Sequence, residues 1–139
     1  MDRYLGRYAP HLYAILRIVA GLMFALHGTQ KLFGFPGSKP PASGALMMTG
    51  GVIECVGGLL VAIGLFASWA AFIASGEMAV AFFKAHFTPD NPLPNLNQGE
   101  LAVVYCFLFL YIAAAGAGVW SIDAMRRGGV SASAGARRP

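Results

Sequence analysis

The sequence predicts an all-α integral membrane protein, a four-helix bundle with both termini in the cytoplasm. Its 139 residues are 57% hydrophobic and only 12% charged, with a mean hydropathy of +0.61. Soluble domains carry about 25% charged residues, so a chain this poor in charge suits lipid better than water. The apolar residues also fall into four segments, each close to the roughly 20 residues with which a helix crosses a bilayer. Connections rich in Gly and Pro separate these segments.

Each predicted span must be a helix, because lipid offers no hydrogen-bonding partner to a free backbone group. The spans cover about residues 11–33, 45–66, 69–87 and 101–120. The first is too long for a signal peptide, and no clear cleavage site follows it. Together they make residues 1–124 one transmembrane domain. The small, polar and basic residues 125–139 predict a flexible cytoplasmic tail.

The basic residues predict the orientation of the chain. Four spans place both termini on one side, together with Arg3, Arg7, Arg126, Arg127, Arg137 and Arg138. The other side holds Lys31, Lys39 and Lys84. Because basic residues accumulate on the cytoplasmic side, we expect both termini inside and the Pro-rich loops outside. No basic patch with interleaved aromatic residues occurs, so nucleic acid is not an expected partner.

The helical rise predicts which polar residues share a depth. Arg17 and Glu77 lie roughly 9 and 12 Å above the cytoplasmic ends of their spans, so we predict a buried ion pair between them. His27, Glu54 and Lys84 lie roughly 20–24 Å above the same boundary. Further out, Gln30, Lys31, His86 and Glu100 form a polar rim. A candidate proton or quinone site follows from this arrangement: His27, Lys31, Glu54, Lys84 and Glu100.

Each of these residues also has a structural interpretation that the sequence leaves open. Arg17 with Glu77, and Glu54 with Lys84, can be neutral pairs that only fix the helix register. His27 can be a hydrogen-bonded side chain rather than a proton relay. Lys31 can mark the membrane interface, where lysine side chains reach toward water.

On the second span Gly50, Glu54, Gly58 and Ala62 recur every four positions, and the small residues of this stripe predict close helix packing. Cys55 and Cys106 lack a C-x-x-C spacing, and we expect two free thiols rather than a redox pair. The histidines show no spacing typical of a metal site, so no metal is predicted. A haem held by His27 and His86 is disfavoured.

Five segments of the chain resemble motifs of one known family. They are HGTQKLFG, ECVGGLLVAIGLF, GEMAVAFFKAH, NQGE and GAGVWSIDAM, in that order. Over about residues 16–124 the chain resembles the DoxX family of small four-helix membrane proteins of bacteria. The loop ASW departs from the family pattern, because members often carry a basic residue there. His27, Lys31, Glu54 and Glu100 stand at positions that match the family motifs.

The resemblance implies a place in the bacterial inner membrane and a role beside oxidoreductases. One relative is a subunit of a thiosulfate:quinone oxidoreductase, and others associate with membrane oxidoreductase assemblies in thiol and oxidative-stress defence. The expected partners are the lipid bilayer and other protein subunits. We expect no cofactor bound firmly by this chain itself, with quinone as the candidate ligand.

Three functions are compatible with the sequence. The first is a membrane subunit of a quinone-linked oxidoreductase or respiratory-type complex, not catalytic alone, in which His27 and Glu54 contact quinone and exchange protons. The second is a purely structural accessory subunit, favoured by the glycine stripe and the absence of catalytic motifs. The third is a small-solute or proton transporter, although neither an inverted repeat nor a broken helix is evident.

Overall fold

The structure, a computed structural model, describes residues 2–37 and 40–135. Within these residues the fold is all-helical and contains no β-strand. A helical turn, Asp2–Leu5, and a tighter turn, Gly6–Tyr8, lead into the first long helix. The helices are α1 (Ala9–Phe33), α2 (Ala45–Ile63), α3 (Ala67–Ala81), α4 (Glu100–Ala115) and α5 (Ile122–Gly135).

Two helical segments are long and apolar enough to cross a membrane. Gly6–Phe33 has 28 residues and a mean hydropathy of 1.6, and Ala45–Ile63 has 19 residues and a mean hydropathy of 2.0. The helix α4 is apolar but shorter. Many large apolar side chains on these helices point outward, among them Leu22, Leu59 and Phe107. The described helices therefore carry an apolar surface as well as an apolar core.

The helices end earlier than the sequence predicts on one side of the molecule. The second predicted span stops at Ile63, because Gly64 adopts a left-handed backbone conformation, and α3 already begins at Ala67. The fourth span stops at Ala115, where Gly116 has a φ of 82°. Residues 122–135 are helical where the sequence predicted a flexible tail from residue 125. The last four residues, with Arg137 and Arg138, lie outside the described part, as does Lys39.

The helices α1 and α2 approach each other through glycine. A methyl group at Gly58 would lie 2.6 Å from the backbone nitrogen of Ala25 and from the carbonyl oxygen of Gly21. Because that spacing leaves no room for a side chain, the two backbones are in direct contact. The small-residue stripe predicted on the second span is thus confirmed as a packing seam, with Gly50, Gly58 and Ala62 buried.

Aromatic residues fill the space between this helix pair and the other half of the fold. Phe24 of α1 packs on Phe109 of α4, with ring centroids 4.6 Å apart, and Tyr105 stacks on Phe109 at 5.4 Å. The helix α3 presents alanines to this cluster, including Ala71 and Ala74. The small side chains of α3 therefore make room for the large side chains of α1 and α4.

The predicted ion pair between Arg17 and Glu77 does not form. Arg17 is fully buried and donates hydrogen bonds to the carbonyl oxygens of Val61 (2.6 Å), Ala62 (2.8 Å) and Trp120 (2.8 Å). Two of these are among the last carbonyls of α2, which lack partners within the helix and carry its negative dipole end. Arg17 thus caps a helix, and Glu77 lies farther along α3, beside Gly50.

A turn after α4 completes this end of the fold. The carboxylate of Asp123 accepts hydrogen bonds from the backbone N–H groups of Phe66 and Ala67, both at 3.1 Å. These groups begin α3, where free N–H groups and the positive end of the helix dipole favour a carboxylate. The hydroxyl of Ser121 donates to the carbonyl of Gly118 and accepts from the N–H of Ala124. The GAGVWSIDAM segment therefore joins α1, α2 and α3.

Substitution of the neighbouring glycines Gly57 and Gly58 tests the packing seam. Gly58→Ala forces the α1 and α2 backbones apart, and we expect it to lower the free energy of unfolding by about 1–3 kcal/mol. A methyl group at Gly57 meets nothing within 4 Å. Gly57→Ala is therefore expected to be neutral, or stabilising by about 0.5–1 kcal/mol. Thermal unfolding in one detergent compares the two variants, and equal midpoints would contradict the seam.

Candidate functional site

A buried ion pair joins α1 and α2, with Lys31 near the end of α1 that leads into the Pro-rich loop and Glu54 in the middle of α2. The Nζ atom of Lys31 lies 2.7 Å from Oε1 of Glu54. The Glu54 side chain is only 3% exposed, and that of Lys31 is 27% exposed. Lys31 therefore reaches inward instead of only marking the interface. Because a buried carboxylate without a partner costs several kcal/mol, Glu54 depends on this lysine.

Lys84 does not pair with Glu54, although the sequence places the two residues at a similar depth in the membrane. It is exposed and lies in the π-helical turn Phe82–His86 that follows α3. Glu54 also lies in a π-helical turn, Ile53–Gly57, in the middle of α2. Such turns place one extra residue in a helical turn and are frequent at functional sites. The apolar periodicity of the sequence does not reveal either turn, because each shifts a helix face by only one residue.

Lys31 lies at the junction of three cavities. The first, of about 570 Å³, is bounded by the loop after α1 and also lined by His27 and Gln30. The second, of about 220 Å³, lies among α1, α2, α3 and α4 and is lined by His27, Glu54 and Tyr105. The third, of about 540 Å³, lies between α2 and α3 and is lined mostly by apolar side chains. The ion pair can thus be reached from the loop side and from the helix surface.

His27 connects the first two cavities and packs on an aromatic wall. Its ring meets that of Tyr105 edge to face, with centroids 6.3 Å apart, and Tyr105 in turn packs against Phe24. On the next helical turn the Gln30 amide donates to the carbonyl of Pro36 at 2.9 Å and holds the loop over the site. The histidine thus stands between the ion pair and a flat apolar surface.

Glu77 enters this site although the sequence analysis placed it elsewhere. A methyl group at Gly50 would lie 3.1 Å from Oε1 of Glu77 and 3.9 Å from Nζ of Lys31. Both groups therefore reach the same point above Gly50. Glu77 and Lys84 line the third cavity together with His86. Two carboxylates, those of Glu54 and Glu77, thus lie near a single ammonium group.

Comparison with known proteins agrees with the resemblance seen in the sequence. The family model named DoxX matches residues 12–87, more than half of the chain. The chain belongs to the DoxX family. It is 46% identical to an uncharacterized protein of Haemophilus influenzae over 125 residues, which cover 86% of this chain and 93% of that protein. No solved structure matches it. Family membership and the two apolar helices identify a membrane protein.

The DoxX motif HGTQKLFG gains a physical role at nearly every position. His27 lines two cavities, and Lys31 carries the ion pair. Between them Gly28 packs against the backbone of Cys55, Thr29 bonds to its own helix, and Gln30 anchors the loop. The segment therefore forms one side of the polar site in this DoxX protein.

Glu100 stands apart from the other predicted site residues. It is exposed and begins α4, where a carboxylate is favoured by the helix dipole. Its neighbours in the NQGE motif do reach the site: Gln98 lines the second cavity, and the Asn97 carbonyl lies 3.2 Å from Nδ1 of His86. The Asn97 side chain accepts from the N–H of Gly99 at 2.9 Å. This motif therefore shapes the entry to α4.

The cysteines and histidines form neither a disulfide nor a metal cluster in the described part of this DoxX chain. Cys55 and Cys106 are free thiols, as predicted. Cys106 accepts a hydrogen bond through its carbonyl from the hydroxyl of Ser75, at 2.8 Å. Within residues 2–37 and 40–135, no group of three or more His, Cys, Asp or Glu side chains is placed to hold a metal ion.

A double-mutant cycle measures the coupling between Lys31 and Glu54. Lys31→Met removes the partner of the buried Glu54, which must then take up a proton, and we expect the free energy of unfolding at pH 7 to fall by about 3–5 kcal/mol. Lys31→Met combined with Glu54→Leu removes both charges, so its loss should be much smaller than the sum of the single losses. The exposed Lys84→Met serves as the control and should change stability by less than about 0.5 kcal/mol. Additive losses in denaturant unfolding would argue against the pair.

Proposed function

We propose that this DoxX protein crosses the bacterial inner membrane four times, as a bundle of α1 to α4 with both termini in the cytoplasm. The outward-facing apolar side chains and the very low charge content support this placement. The exposed Arg7, Arg126 and Arg127 lie near the chain ends, on the side where α2 meets α3. Basic residues at that end favour the cytoplasmic side.

Labelling of single cysteines tests this orientation. In a background with Cys55→Ala and Cys106→Ala, Ser43→Cys places a thiol in the exposed loop between α1 and α2. Gly128→Cys places one on α5, near the other end of the chain. We expect a membrane-impermeant maleimide to label Ser43→Cys in intact spheroplasts and Gly128→Cys only after lysis. The opposite pattern would reverse the orientation, and labelling of both in intact spheroplasts would contradict an even number of spans.

We further propose that the protein is a subunit of a quinone-linked membrane oxidoreductase. The observation that carries this proposal is the second cavity, where a buried ion pair, a histidine and an aromatic wall face the same space. A quinone head group is a flat ring with two carbonyl oxygens, and it needs hydrogen-bond donors at its edge and apolar surface on its faces. His27 and Lys31 can donate, and Phe24 and Tyr105 offer ring surfaces.

The residues of this site suit a role in binding and proton movement. A bound quinone supplies the capacity to accept two electrons and two protons. His27 orients a carbonyl oxygen through its ring N–H. Glu54, with Oε2 free of protein hydrogen bonds, can take up and give back a proton while Lys31 compensates its charge. Because no redox motif is evident in the sequence, the electrons in this proposal come from partner subunits.

Quinone binding by the purified protein tests the proposal. The probe is a benzoquinone with a short isoprenoid tail, titrated into the protein in detergent and followed by calorimetry. His27→Ala removes a donor, and we expect it to weaken binding about tenfold, or about 1.4 kcal/mol. Thr29→Val, which alters a hydroxyl bonded within its own helix, should bind like the unaltered protein. Absence of binding by the unaltered protein, or equal affinity in both variants, would reject this site.

A purely structural subunit is the second candidate, favoured by the glycine seam and by the apolar helix surfaces available to other subunits. Purification in mild detergent, followed by mass spectrometry of co-purifying proteins, identifies the complex under either proposal. In the structural case His27→Ala leaves the turnover of that complex unchanged. A loss of turnover in an intact complex favours the quinone site.

A further inference from the structure

We propose that Glu54, Lys31 and Glu77 form a carboxylate–ammonium–carboxylate triad that binds one exchangeable proton at neutral pH. The proposal assigns Glu77 a chemical role that the quinone site does not include, and it stands without quinone or partner subunits. It depends on the position of three charged groups on three different helices, α1, α2 and α3.

The triad has two acidic groups and only one basic group. Lys31 is bonded to Oε1 of Glu54 and also approaches Glu77 above Gly50. With all three groups ionised, the triad carries one excess negative charge. An uncompensated charge surrounded by apolar protein and lipid costs at least a few kcal/mol. Two carboxylates that share a site cannot both remain ionised at low cost, so one of them takes up a proton.

Two carboxylate oxygens are available to bind this proton. Oε2 of Glu54 and Oε2 of Glu77 are both buried and lack a hydrogen-bond partner. Glu54, whose side chain is 3% exposed, lines the second cavity, and Glu77 lines the third. Because Lys31 lines both cavities, the triad connects them. A proton taken from water in one cavity forms an O–H bond on one carboxylate, and the site charge changes from −1 to 0.

The other charged groups around Glu77 either make hydrogen bonds elsewhere or are exposed to solvent. Arg17 is bonded to the end of α2. Lys84 and His86, on the turn that continues α3, line the same cavity as Glu77, but Lys84 is exposed and His86 lies beside the Asn97 carbonyl. From α4, Tyr105 lines the second cavity together with Glu54. No second cation therefore neutralises Glu77 among the described residues.

Gly50 adds a steric condition for the triad. It is buried on α2 and stands where α2 faces both Lys31 and Glu77. Any side chain there would press on the Glu77 carboxylate, because even a methyl group would approach Oε1 to 3.1 Å. The small residue thus leaves the space in which the two acidic groups and the ammonium group meet.

Infrared spectroscopy of the purified full-length protein in vesicles at pH 7 tests the proposal. The measured quantity is the carbonyl stretch of protonated carboxyl groups per chain, identified by its shift in D₂O. We expect one protonated carboxyl in the unaltered protein. Glu77→Gln and Glu54→Gln should each abolish the signal, since the remaining carboxylate then pairs with Lys31. Lys31→Met should double it, and the exposed control Asp90→Asn should leave it unchanged.

The same series contains the results that would overturn the triad. An unaltered protein without the signal refutes it directly, whether or not the variants fold. A signal that survives Glu54→Gln shows that burial alone protonates Glu77. A signal present in choline buffer but lost in sodium buffer shows that the site binds a metal cation in place of a proton. Because no quinone is added, failure here is separate from failure of the quinone titration.

Discussion

The ion pair between Lys31 and Glu54 sets the constraint on which the rest of this structure depends. A charged pair inside an apolar fold is favourable only at close range and with little freedom to separate. The 2.7 Å contact requires α1 and α2 to approach closely, and glycine at their seam permits it. The π-helical turn at Ile53–Gly57 then sets the direction in which the Glu54 side chain leaves α2. Seam, turn and ion pair are parts of one arrangement.

The two ends of the fold satisfy their polar groups in different ways. At one end, charged side chains meet each other beside cavities, and carboxylate oxygens remain without partners. At the other end, Arg17 and Asp123 are bonded to backbone groups at helix termini. Arg17 and Asp123 are each stabilised by the partial charges of a helix end, whereas Glu54 depends on a single ammonium group. The exchangeable proton that we propose therefore belongs to the end of the fold that holds the ion pair.

The sequence predicted the helices and the packing seam, because both follow from apolar content or from spacing along a single helix, and three residues of its candidate site, His27, Lys31 and Glu54, line one cavity. It did not predict which partner each charged side chain contacts. Rise per residue locates a backbone atom, but the side chain of Lys31 is long enough to reach the next layer of polar groups. Arg17 found carbonyl partners, which carry no signature in a sequence. Glu77 was assigned to Arg17 because opposite charges at similar depth were matched without knowledge of the helix ends.

The features that escaped prediction share a physical origin. The two π-helical turns change the face of a helix by a single residue, which apolar periodicity cannot resolve. The role of Asp123 depends on a turn in which Gly116, Gly118 and Trp120 all have positive φ angles. Glu100 was included because it matches a family motif, yet its neighbours Asn97 and Gln98 make the contacts. The motif thus lies in a segment that borders the second cavity, while Glu100 itself begins α4.

The closing turn after α4 has a consequence for biosynthesis. Arg17 leaves the ribosome early, but one of its three carbonyl partners belongs to Trp120, more than a hundred residues later. The first N–H groups of α3 likewise lack their carboxylate partner until Asp123 has been synthesised. Until the last part of the chain arrives, the first span holds a charged group that is incompletely satisfied. A chain truncated before Trp120 therefore leaves Arg17 without one of its three carbonyl partners.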